Sequence, residues 1–317
     1  KTFKGKIKVV RSPIIPRFSS KKIQLAINYL SFAFFASIFG LFYCRGRYDL
    51  IFTYAPSPLT VALTSIFINS FKRVKHVIWV QDLWPEVFMA VEAPKTKLFY
   101  DSVKLMMKFI YKRCDLILIQ SRGFQQSIIQ LGVNENKIKY FPNWAENFFK
   151  PLDKKLPETQ RIDLPGGDSF KIMFAGNIGA AQCFDIILEA AIKLKSKKIS
   201  WIILGDGRRK KWLDEQIEIH SLQSNIFTLG KKPVEDMPFY YSLADVMLVS
   251  LEPHPVFSAW MPGKVQSYMA CGKPILALLS GAGAEAIKES RSGFAIESGK
   301  ADELISQVEE LSWMSAT

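Results

Sequence analysis

Short apolar runs alternate with longer segments of helical periodicity along most of the chain. The runs are continuous and lack polar alternation, which is typical of strands buried on both faces of a parallel sheet. In the first half we predict strands at Ile7–Val10, Leu50–Thr53, Val74–Val80 and Leu116–Gln120, and helices at Leu59–Asn69, Thr96–Tyr111 and Gly123–Leu131. In the second half we predict strands at Ile172–Ala175, Trp201–Leu204, Ile226–Leu229, Val246–Ser250, Ile275–Leu278 and Phe294–Ile296, and helices at Cys183–Leu194, Lys210–His220, Val265–Ala270 and Ala301–Leu311. This alternation predicts an α/β fold with parallel sheets and right-handed crossovers.

One segment between the two series has no apolar period. Residues 151–168 read PLDKKLPETQRIDLPGGD and are rich in proline, glycine and charge. A chain of 317 residues also exceeds what a single hydrophobic core usually fills. We therefore interpret 151–168 as a hinge between two Rossmann-like domains, residues 1–150 and 169–317.

A second exception is Ile23–Cys44, which carries no charge and is apolar on every face. Basic residues flank it on both sides: Arg17, Lys21, Lys22, Arg45 and Arg47. Three interpretations stay open at this point: a helix lying in the lipid interface, a buried crossover helix, or a membrane span. The basic flanks favour the interfacial helix, because they would meet anionic head groups.

The net charge of +13 predicts an anionic partner. The basic residues are dispersed and no aromatic-interleaved strand motif accompanies them, so nucleic acid is not favoured. The four cysteines, Cys44, Cys114, Cys183 and Cys271, are scattered. They form no C-x-x-C pair, which argues against a disulfide framework or zinc site and for a reducing compartment.

The stretch KIMFAGNIGAAQCFDII, Lys171–Ile187, predicts a strand, a glycine turn and a helix. Such a turn directs backbone N–H groups and the positive end of a helix dipole at a phosphate. The candidate contacts are Gly176, Asn177, Gly179 and Gln182. A turn of this kind is as often purely structural, so its weight depends on the motifs further along the chain.

A second glycine turn, Gly205-Asp206-Gly207, ends the predicted strand Trp201–Leu204. Both turns then lie outside the carboxyl ends of strands, where doubly wound sheets bind ligands. Arg208 and Arg209 begin the next helix, where cations oppose the helix dipole. Each alone fits a solvated helix start, but together they favour neutralisation of a diphosphate.

Two further loops complete the pattern. A proline-glycine turn leads through Gly263 to Lys264 at another helix start, positioned for an anion. A small-residue loop from Gly281 ends in Glu285, whose carboxylate suits vicinal ribose hydroxyls. The alternative for Glu285 is an ordinary acidic residue in the first turn of a helix.

Together these residues resemble retaining glycosyltransferase family 4. The second half contributes GNIGAAQ, LGDG, LGKKPVEDMP with ADVMLVSL, and PGK with QSYMACGKPIL. The first half contributes TYAPSPLTVALTS, VQDLWPE, RCDLILIQS and KIKYFPNW in the same order as the family. Within it the chain is most similar to the O-antigen and colanic-acid enzymes related to the bacterial L-fucosamine transferase. The resemblance implies a GT-B fold with the donor nucleotide on the C-terminal domain and the acceptor on the N-terminal one.

The chain departs from that family in two ways. The paired glutamates of the general family fall here on Ala259 and Ser267, so we expect Glu285 to supply the sugar or ribose contact. The strand and glycine-rich loop with which the family begins are not found in the sequence. We therefore expect the N-terminal domain to be incomplete.

No D-x-D triplet occurs in the sequence, so we expect transfer without a metal or other cofactor. The substrate that the resemblance implies is a nucleotide sugar, for which we expect a UDP-sugar, although the residues do not decide between uridine and guanosine. Lys264 with Arg208 or Arg209 would take the charge of the leaving diphosphate. Asp82, after the predicted strand Val74–Val80, is the candidate for the acceptor hydroxyl or sugar carbon, unless it merely caps a helix. The family implies retention of configuration.

The implied acceptor is a polyprenyl-diphosphate-linked sugar at the cytoplasmic face of the inner membrane, next to anionic lipid. Two other functions stay open. One is a sugar-nucleotide epimerase, which shares the architecture, and the other is a non-catalytic, membrane-bound module that binds a nucleotide sugar.

Overall fold

The computed structural model describes residues 2–3, 7–18, 22–57, 60–90, 96–152, 164–297 and 299–314. The chain forms two compact units, Lys1–Pro142 and Asn143–Thr317. The division falls before the predicted boundary at residue 150, and residues 153–163 of the predicted hinge lie outside the described residues.

The first unit is built on a parallel sheet in the order β3-β4-β5-β6. Its elements are β1 (Thr2–Phe3), β2 (Ile7–Lys8), α1 (Lys22–Tyr43), β3 (Leu50–Ala55), α2 (Val61–Lys72), β4 (Lys75–Val80), α3 (Val87–Ala90), α4 (Lys97–Lys112), β5 (Leu116–Ile119), α5 (Phe124–Gln130) and β6 (Ile138–Tyr140). Three of the four predicted strands are confirmed. Strand β6 was not predicted, because on this sheet edge only Ile138 of its three residues is buried.

The prediction of a buried strand at Ile7–Val10 is wrong. Only Ile7–Lys8 is extended, and it pairs antiparallel with Thr2–Phe3 outside the main sheet. Ile7 is exposed, and Val9 and Val10 are only half-buried. An apolar pair flanked by lysines is too short to bury both faces, so the run lies on the surface.

Helix α1 resolves one of the alternatives left open for Ile23–Cys44. It packs on α2 through a narrow side, where a side chain at Gly40 would meet Ile68 at 2.5 Å. Most of its other residues are exposed or half-buried. The buried crossover interpretation is therefore wrong.

The second unit contains a parallel sheet of order β12-β11-β10-β7-β8-β9. Its elements are β7 (Phe170–Ala175), α6 (Phe184–Lys193), β8 (Ile199–Leu204), α7 (Lys210–Ile219), β9 (Ile226–Gly230), α8 (Met237–Ser242), β10 (Val246–Ser250), α9 (Pro255–Ser258), α10 (Gly263–Ala270), β11 (Ile275–Leu278), α11 (Ala282–Glu289), β12 (Gly293–Ile296) and α12 (Ala301–Met314). All six predicted strands are confirmed. The strand order reverses between β7 and β10, which is the point where doubly wound sheets bind ligands.

Buried side chains cover both faces of this sheet. Phe174, Phe184 and Trp201 lie in the core on one face, and Tyr241 and Tyr268 lie in the core on the other. Residues that precede the predicted hinge join the second core. Phe149 is buried and its ring stacks on Tyr241 with centroids 6.0 Å apart. The segment 143–150 therefore belongs structurally to the second unit.

The two glycine turns at the ends of β7 and β8 are hydrogen-bonded to each other. The Gly176 N–H donates to the Leu204 carbonyl (2.9 Å), and the Ile178 N–H donates to the Asp206 carbonyl (2.8 Å). Gly205 has φ +133°, and a Cβ on it would lie 1.8 Å from the Gly176 carbonyl oxygen. Glycine is thus required at Gly205 for both the backbone angle and the close approach of the turns.

We predict that Gly205→Ala lowers the free energy of unfolding by about 2–4 kcal/mol, because the methyl group forces the two turns apart. The matched control is Gly263→Ala, at the first residue of α10, where a Cβ meets no atom within 4 Å. Denaturant titration should show the control within about 0.5 kcal/mol of the parent. Equal stability of both variants would contradict the proposed packing of the turns.

Candidate functional site

A cavity of about 570 Å³ opens at the carboxyl ends of β7, β8 and β9. Five residues predicted to contact a phosphate line it: Gly176, Asn177, Gly205, Asp206 and Gly207. The rest of its wall comes from Ala175, Leu204, Lys231, Lys232, Val234, Met237 and Tyr241. All of these residues belong to the second unit. The volume is in the range of small-molecule sites.

The Lys264 ammonium lies directly beside the first glycine turn. A Cβ on Gly176 would be 3.1 Å from Lys264 Nζ, so the absence of a side chain at Gly176 is what admits the ammonium. Nζ donates to Gln182 Oε1 (3.2 Å) and lies 3.9 Å from the centre of the Phe174 ring. Burial lowers the Lys264 pKa to about 7. A nearby anion would therefore stabilise the protonated form of Lys264 strongly.

Tyr268 holds Lys264 in position. The two residues are four apart on α10 and therefore on the same side of the helix. The Tyr268 hydroxyl donates to the Ala175 carbonyl (3.2 Å) and accepts from the Ala175 N–H (3.1 Å), at the last residue of β7. Burial raises the Tyr268 pKa far above its usual value, so this hydroxyl stays neutral. Sequence analysis missed Tyr268, although its spacing from Lys264 would have indicated it.

Hydrogen bonds join the ends of β7 and β10 around this lysine. The Ser250 hydroxyl donates to the Gln182 carbonyl (2.6 Å), and the Glu252 N–H donates to the Ala181 carbonyl (2.9 Å). The Gln182 side chain is then free to accept from Lys264. Gln182 therefore acts beside the lysine and does not line the cavity itself.

The helix after the first glycine turn begins within one residue of its predicted start at Cys183. Gly179 is followed by one 3-10 turn, Ala180–Gln182, and Cys183 has left-handed dihedral angles with φ 49°. Helix α6 begins only at Phe184. The helix N-terminus thus does not adjoin the turn, and the N–H groups of Gly176 and Ile178 are engaged by the second turn.

The Arg209 side chain is paired within the second unit. Its guanidinium makes two hydrogen bonds to the Asp185 carboxylate (2.6 and 2.8 Å) and stacks on Trp212 at 3.6 Å. The hydrogen bonds lower the Asp185 pKa and raise that of Arg209. Arg208 is exposed beside Gly207 and is not among the residues that line the cavity. The side chain of Lys264 lies against the first glycine turn, although Lys264 too is not among the residues that line the cavity.

Gly263 and Glu285 lie outside the cavity wall. Gly263 is exposed at the start of α10. Glu285 is exposed in the first turn of α11, where its N–H donates to the Gly281 carbonyl (2.9 Å). The start of α11 nevertheless packs on the loop before Lys264, since a Cβ on Gly283 would lie 3.1 Å from Pro262.

Asp82 lies in the first unit, after β4. Its Oδ2 accepts a hydrogen bond from the Ser57 hydroxyl (2.5 Å), and the Trp84 indole N–H donates to the same hydroxyl (3.1 Å). Ser57 follows β3, so the chain of polar groups crosses the carboxyl ends of two neighbouring parallel strands. This is the edge at which an α/β sheet binds ligands.

The residues after β9 were not predicted as site residues. Lys231, Lys232 and Val234 line the cavity, as does Tyr241 on α8. A signal was available, because Gly230 ends the predicted third strand with φ 68°, as Gly176 and Gly205 end the first two. Doubly wound sheets bind ligands outside the carboxyl ends of their strands, and applying this rule to β9 would have predicted Lys231 and Lys232 as site residues.

Comparison with known proteins agrees with this geometry. Residues 169–312 match the family of glycosyl transferases group 1. The chain is 26% identical to the probable glycosyltransferase WbjE of Pseudomonas aeruginosa over 267 residues, which are 82% of this chain and 65% of that protein. It is 26% identical to the putative colanic acid biosynthesis glycosyl transferase WcaI of Escherichia coli K12 over 155 residues, 48% of this chain and 37% of that protein.

The chain thus spans less than two thirds of the length of both relatives.

Among solved structures, it superposes on Anabaena Alr3699/HepE in complex with UDP with a TM-score of 0.67 and 16% identity, over 90% of this chain and 73% of that one. The family match is confined to residues 169–312, and the superposition, together with the two Rossmann-like sheets, shows that the chain has the GT-B fold.

Proposed function

We propose that this chain is a glycosyltransferase that transfers the sugar of a nucleoside-diphosphate sugar to a lipid-linked sugar in the synthesis of a bacterial surface polysaccharide. The observation that carries the proposal is the Lys264 ammonium beside the Gly176 turn, at the switch point of the second sheet. Among the described residues, no carboxylate is close enough to raise the Lys264 pKa. A bound diphosphate would supply the missing anion.

The chemistry of sugar transfer needs such a cation. As the bond from the sugar to the β-phosphate breaks, negative charge grows on the diphosphate, and a fixed cation in a desolvated place stabilises it without reorganisation. Lys264 is proposed for this role, with Arg208 near the opening and Lys231 and Lys232 on the cavity wall. We propose that no metal is needed, because the sequence has no D-x-D triplet.

The donor is proposed to be a UDP-sugar, with a deoxy- or N-acetylamino-hexose as the transferred group. The resemblance to family 4 and its L-fucosamine transferase group supports this sugar class and the retention of configuration. The HepE structures contain UDP or UDP-glucose, which supports uridine as the base. The nucleoside would occupy the cavity between the glycine turns, Lys231 and Tyr241.

The acceptor is proposed to be a polyprenyl-diphosphate-linked sugar, and the location the cytoplasmic face of the inner membrane. The name of WcaI, a colanic acid biosynthesis enzyme, supports a surface polysaccharide as the product. On the acceptor side we propose that Asp82 receives a hydrogen bond from the attacking hydroxyl. Its carboxylate already accepts one from Ser57 and has lone pairs left for another.

The first prediction concerns Lys264→Met, which keeps the side-chain length and removes the charge. UDP affinity measured by calorimetry should fall on the order of 100-fold, because a buried charge-assisted contact is lost. Transfer from labelled UDP-sugars to a polyprenyl-diphosphate sugar should become undetectable. The control Lys211→Met, whose side chain is 90% exposed on α7, should retain both. UDP affinity unchanged in Lys264→Met would contradict the proposal.

Without ligand, the same variant should be more stable than the parent. Burial lowers the Lys264 pKa from 10.5 to about 7, so below that value folding must bury a charged group. Between pH 7 and 10.5, Lys264 is protonated in the unfolded chain and largely neutral in the folded one. The free energy of unfolding of the parent therefore rises with pH over this range. The advantage of Lys264→Met in urea titrations should therefore be about 4 kcal/mol near neutrality and vanish in alkali. A constant difference across this range would contradict the assignment.

A second prediction is that UDP binding takes up a proton. The bound diphosphate stabilises charged Lys264, so its pKa rises in the complex. Affinity should then fall about tenfold or more between about pH 7.5 and pH 9, with a limit of tenfold per unit. Calorimetry in two buffers of different ionisation enthalpy should show the uptake directly. Lys264→Met should show neither effect, and an affinity independent of pH in the parent would disprove the linkage.

A third prediction separates donor from acceptor chemistry. Asp82→Asn keeps an acceptor for the Ser57 hydroxyl but removes the negative charge. We expect kcat to fall about 10²-fold, with UDP affinity unchanged. The control Ser57→Ala removes only the partner hydroxyl and should cost about tenfold or less. Full turnover in Asp82→Asn would show that another group receives the proton.

A further inference from the structure

Helix α1 exposes apolar side chains along its whole length. The exposed side chains are Ile23, Ile27, Leu30, Phe34, Ile38 and Phe42, each at least 36% exposed. Their spacing of three or four residues places them on one side of the helix, which we call the outer face. Phe67 and Phe71 on the neighbouring α2 are also exposed. Such a contiguous apolar surface on a water-soluble unit marks an interaction site.

Two polar residues of α1, Asn28 and Ser31, are covered by the extended segment that precedes the helix. Asn28 and Ser31 are buried at 8% and 7% exposure. The Asn28 side-chain amide donates to the Ile15 carbonyl (2.7 Å), and the Ile15 N–H donates to the Ser31 hydroxyl (3.0 Å). A helix on the surface of a soluble domain has its apolar side inward. The exposed apolar side chains of α1 depart from this rule, which indicates that an apolar medium covers the outer face.

An extended segment, residues 9–18, accompanies the helix and determines how it can meet such a medium. Close to its two ends, Lys8 Nζ donates to the Tyr43 carbonyl (3.0 Å) and the Phe18 N–H donates to the Gln24 side chain (3.1 Å). Non-helical backbone is not tolerated where it faces lipid hydrocarbon. The helix can therefore lie along a membrane surface, whereas a span would draw this segment into the bilayer core.

The charge of the chain is concentrated in the same unit. Residues 1–142 hold 22 Lys and Arg against 7 Asp and Glu, a net charge of +15, whereas residues 143–317 hold 20 against 22, a net charge of −2. Arg11 and Arg17 lie on the extended segment, and Arg45 and Arg47 follow α1. Positive charge of this kind attracts anionic lipid head groups at about 1 kcal/mol per residue near the surface.

We propose that the outer face of α1, with Phe67 and Phe71, seats the first unit in the head-group region of an anionic phospholipid bilayer. The helix lies parallel to the membrane plane, with its apolar side chains about 5–10 Å below the head groups. Its 22 residues, about 33 Å long, give a line of contact along the whole unit. The proposal extends the proposed use of a lipid-linked acceptor, but its evidence is the surface of the first unit alone.

The test is flotation of the full chain with vesicles of phosphatidylcholine containing about one third phosphatidylglycerol, without any sugar nucleotide. We expect the parent to float, and the double variant Leu30→Glu/Phe34→Glu to partition at least about tenfold less. The matched control is Ile219→Glu/Trp313→Glu, two similarly exposed apolar positions of the second unit at 68% and 74%, which should float like the parent.

A second variant, Arg45→Gln/Arg47→Gln, tests the electrostatic part without altering apolar surface. It should reduce binding several-fold at low salt and little at high salt. UDP affinity is measured for every variant. It reports the second unit separately, so loss of flotation with normal UDP binding concerns the membrane face only.

Several outcomes would overturn the proposal. One is a parent that does not float, or that floats equally with neutral vesicles. Another is undiminished flotation of Leu30→Glu/Phe34→Glu. A third is a parent that is dimeric by light scattering and becomes monomeric in that variant without a change in lipid binding, since a second copy of the chain would then cover the outer face. Absent UDP binding in a parent that floats would instead count against the proposed transferase function.

Discussion

The second unit is organised around a half-buried ammonium, that of Lys264, which has no carboxylate partner among the described residues. Lys264 is held by a ring, an amide oxygen and a glycine turn, and all three contacts depend on elements distant in sequence. Tyr268 ties α10, the helix that carries Lys264, to the last residue of β7. A charge kept without its counter-ion destabilises the empty protein. A binding site can carry this loss of stability when the ligand itself supplies the counter-ion.

The two units handle negative charge by different physical means. In the second unit, with a net charge near zero, recognition relies on a few fixed groups in a desolvated place, where each contact is strong and little affected by salt. In the first unit the basic excess is exposed and spread, so it acts at longer range and is screened by salt. The first arrangement suits a single small anion. The second suits an extended anionic surface.

The sequence was sufficient for the strands and turns of the second unit, because six continuous apolar runs each end at or near a glycine or polar turn. It failed where a side chain's role depends on a partner elsewhere. Arg209 is consumed by Asp185, which lies 24 residues earlier on α6, and no local pattern shows that pairing. Residues Ile7–Val10 have the apolar pattern of a strand but no neighbour to pair with. For Ile23–Cys44, composition alone did not distinguish a buried helix from an exposed one, because the segment is apolar on every face and its exposure depends on what packs against it.

The missing glutamates at Ala259 and Ser267 pose the remaining chemical question of the donor site. Gly281, with φ 67°, brings the start of α11 against the loop after α9, since a Cβ there would lie 2.1 Å from the Ser258 carbonyl oxygen. The hydroxyls of Ser258 and Ser280 are also within hydrogen-bond distance (2.9 Å). This close packing sets the first turn of α11, which carries Glu285, beside the loop that leads to Lys264. Glu285 is exposed on that turn and outside the cavity wall, and it stays a prediction as the replacement for the missing glutamates.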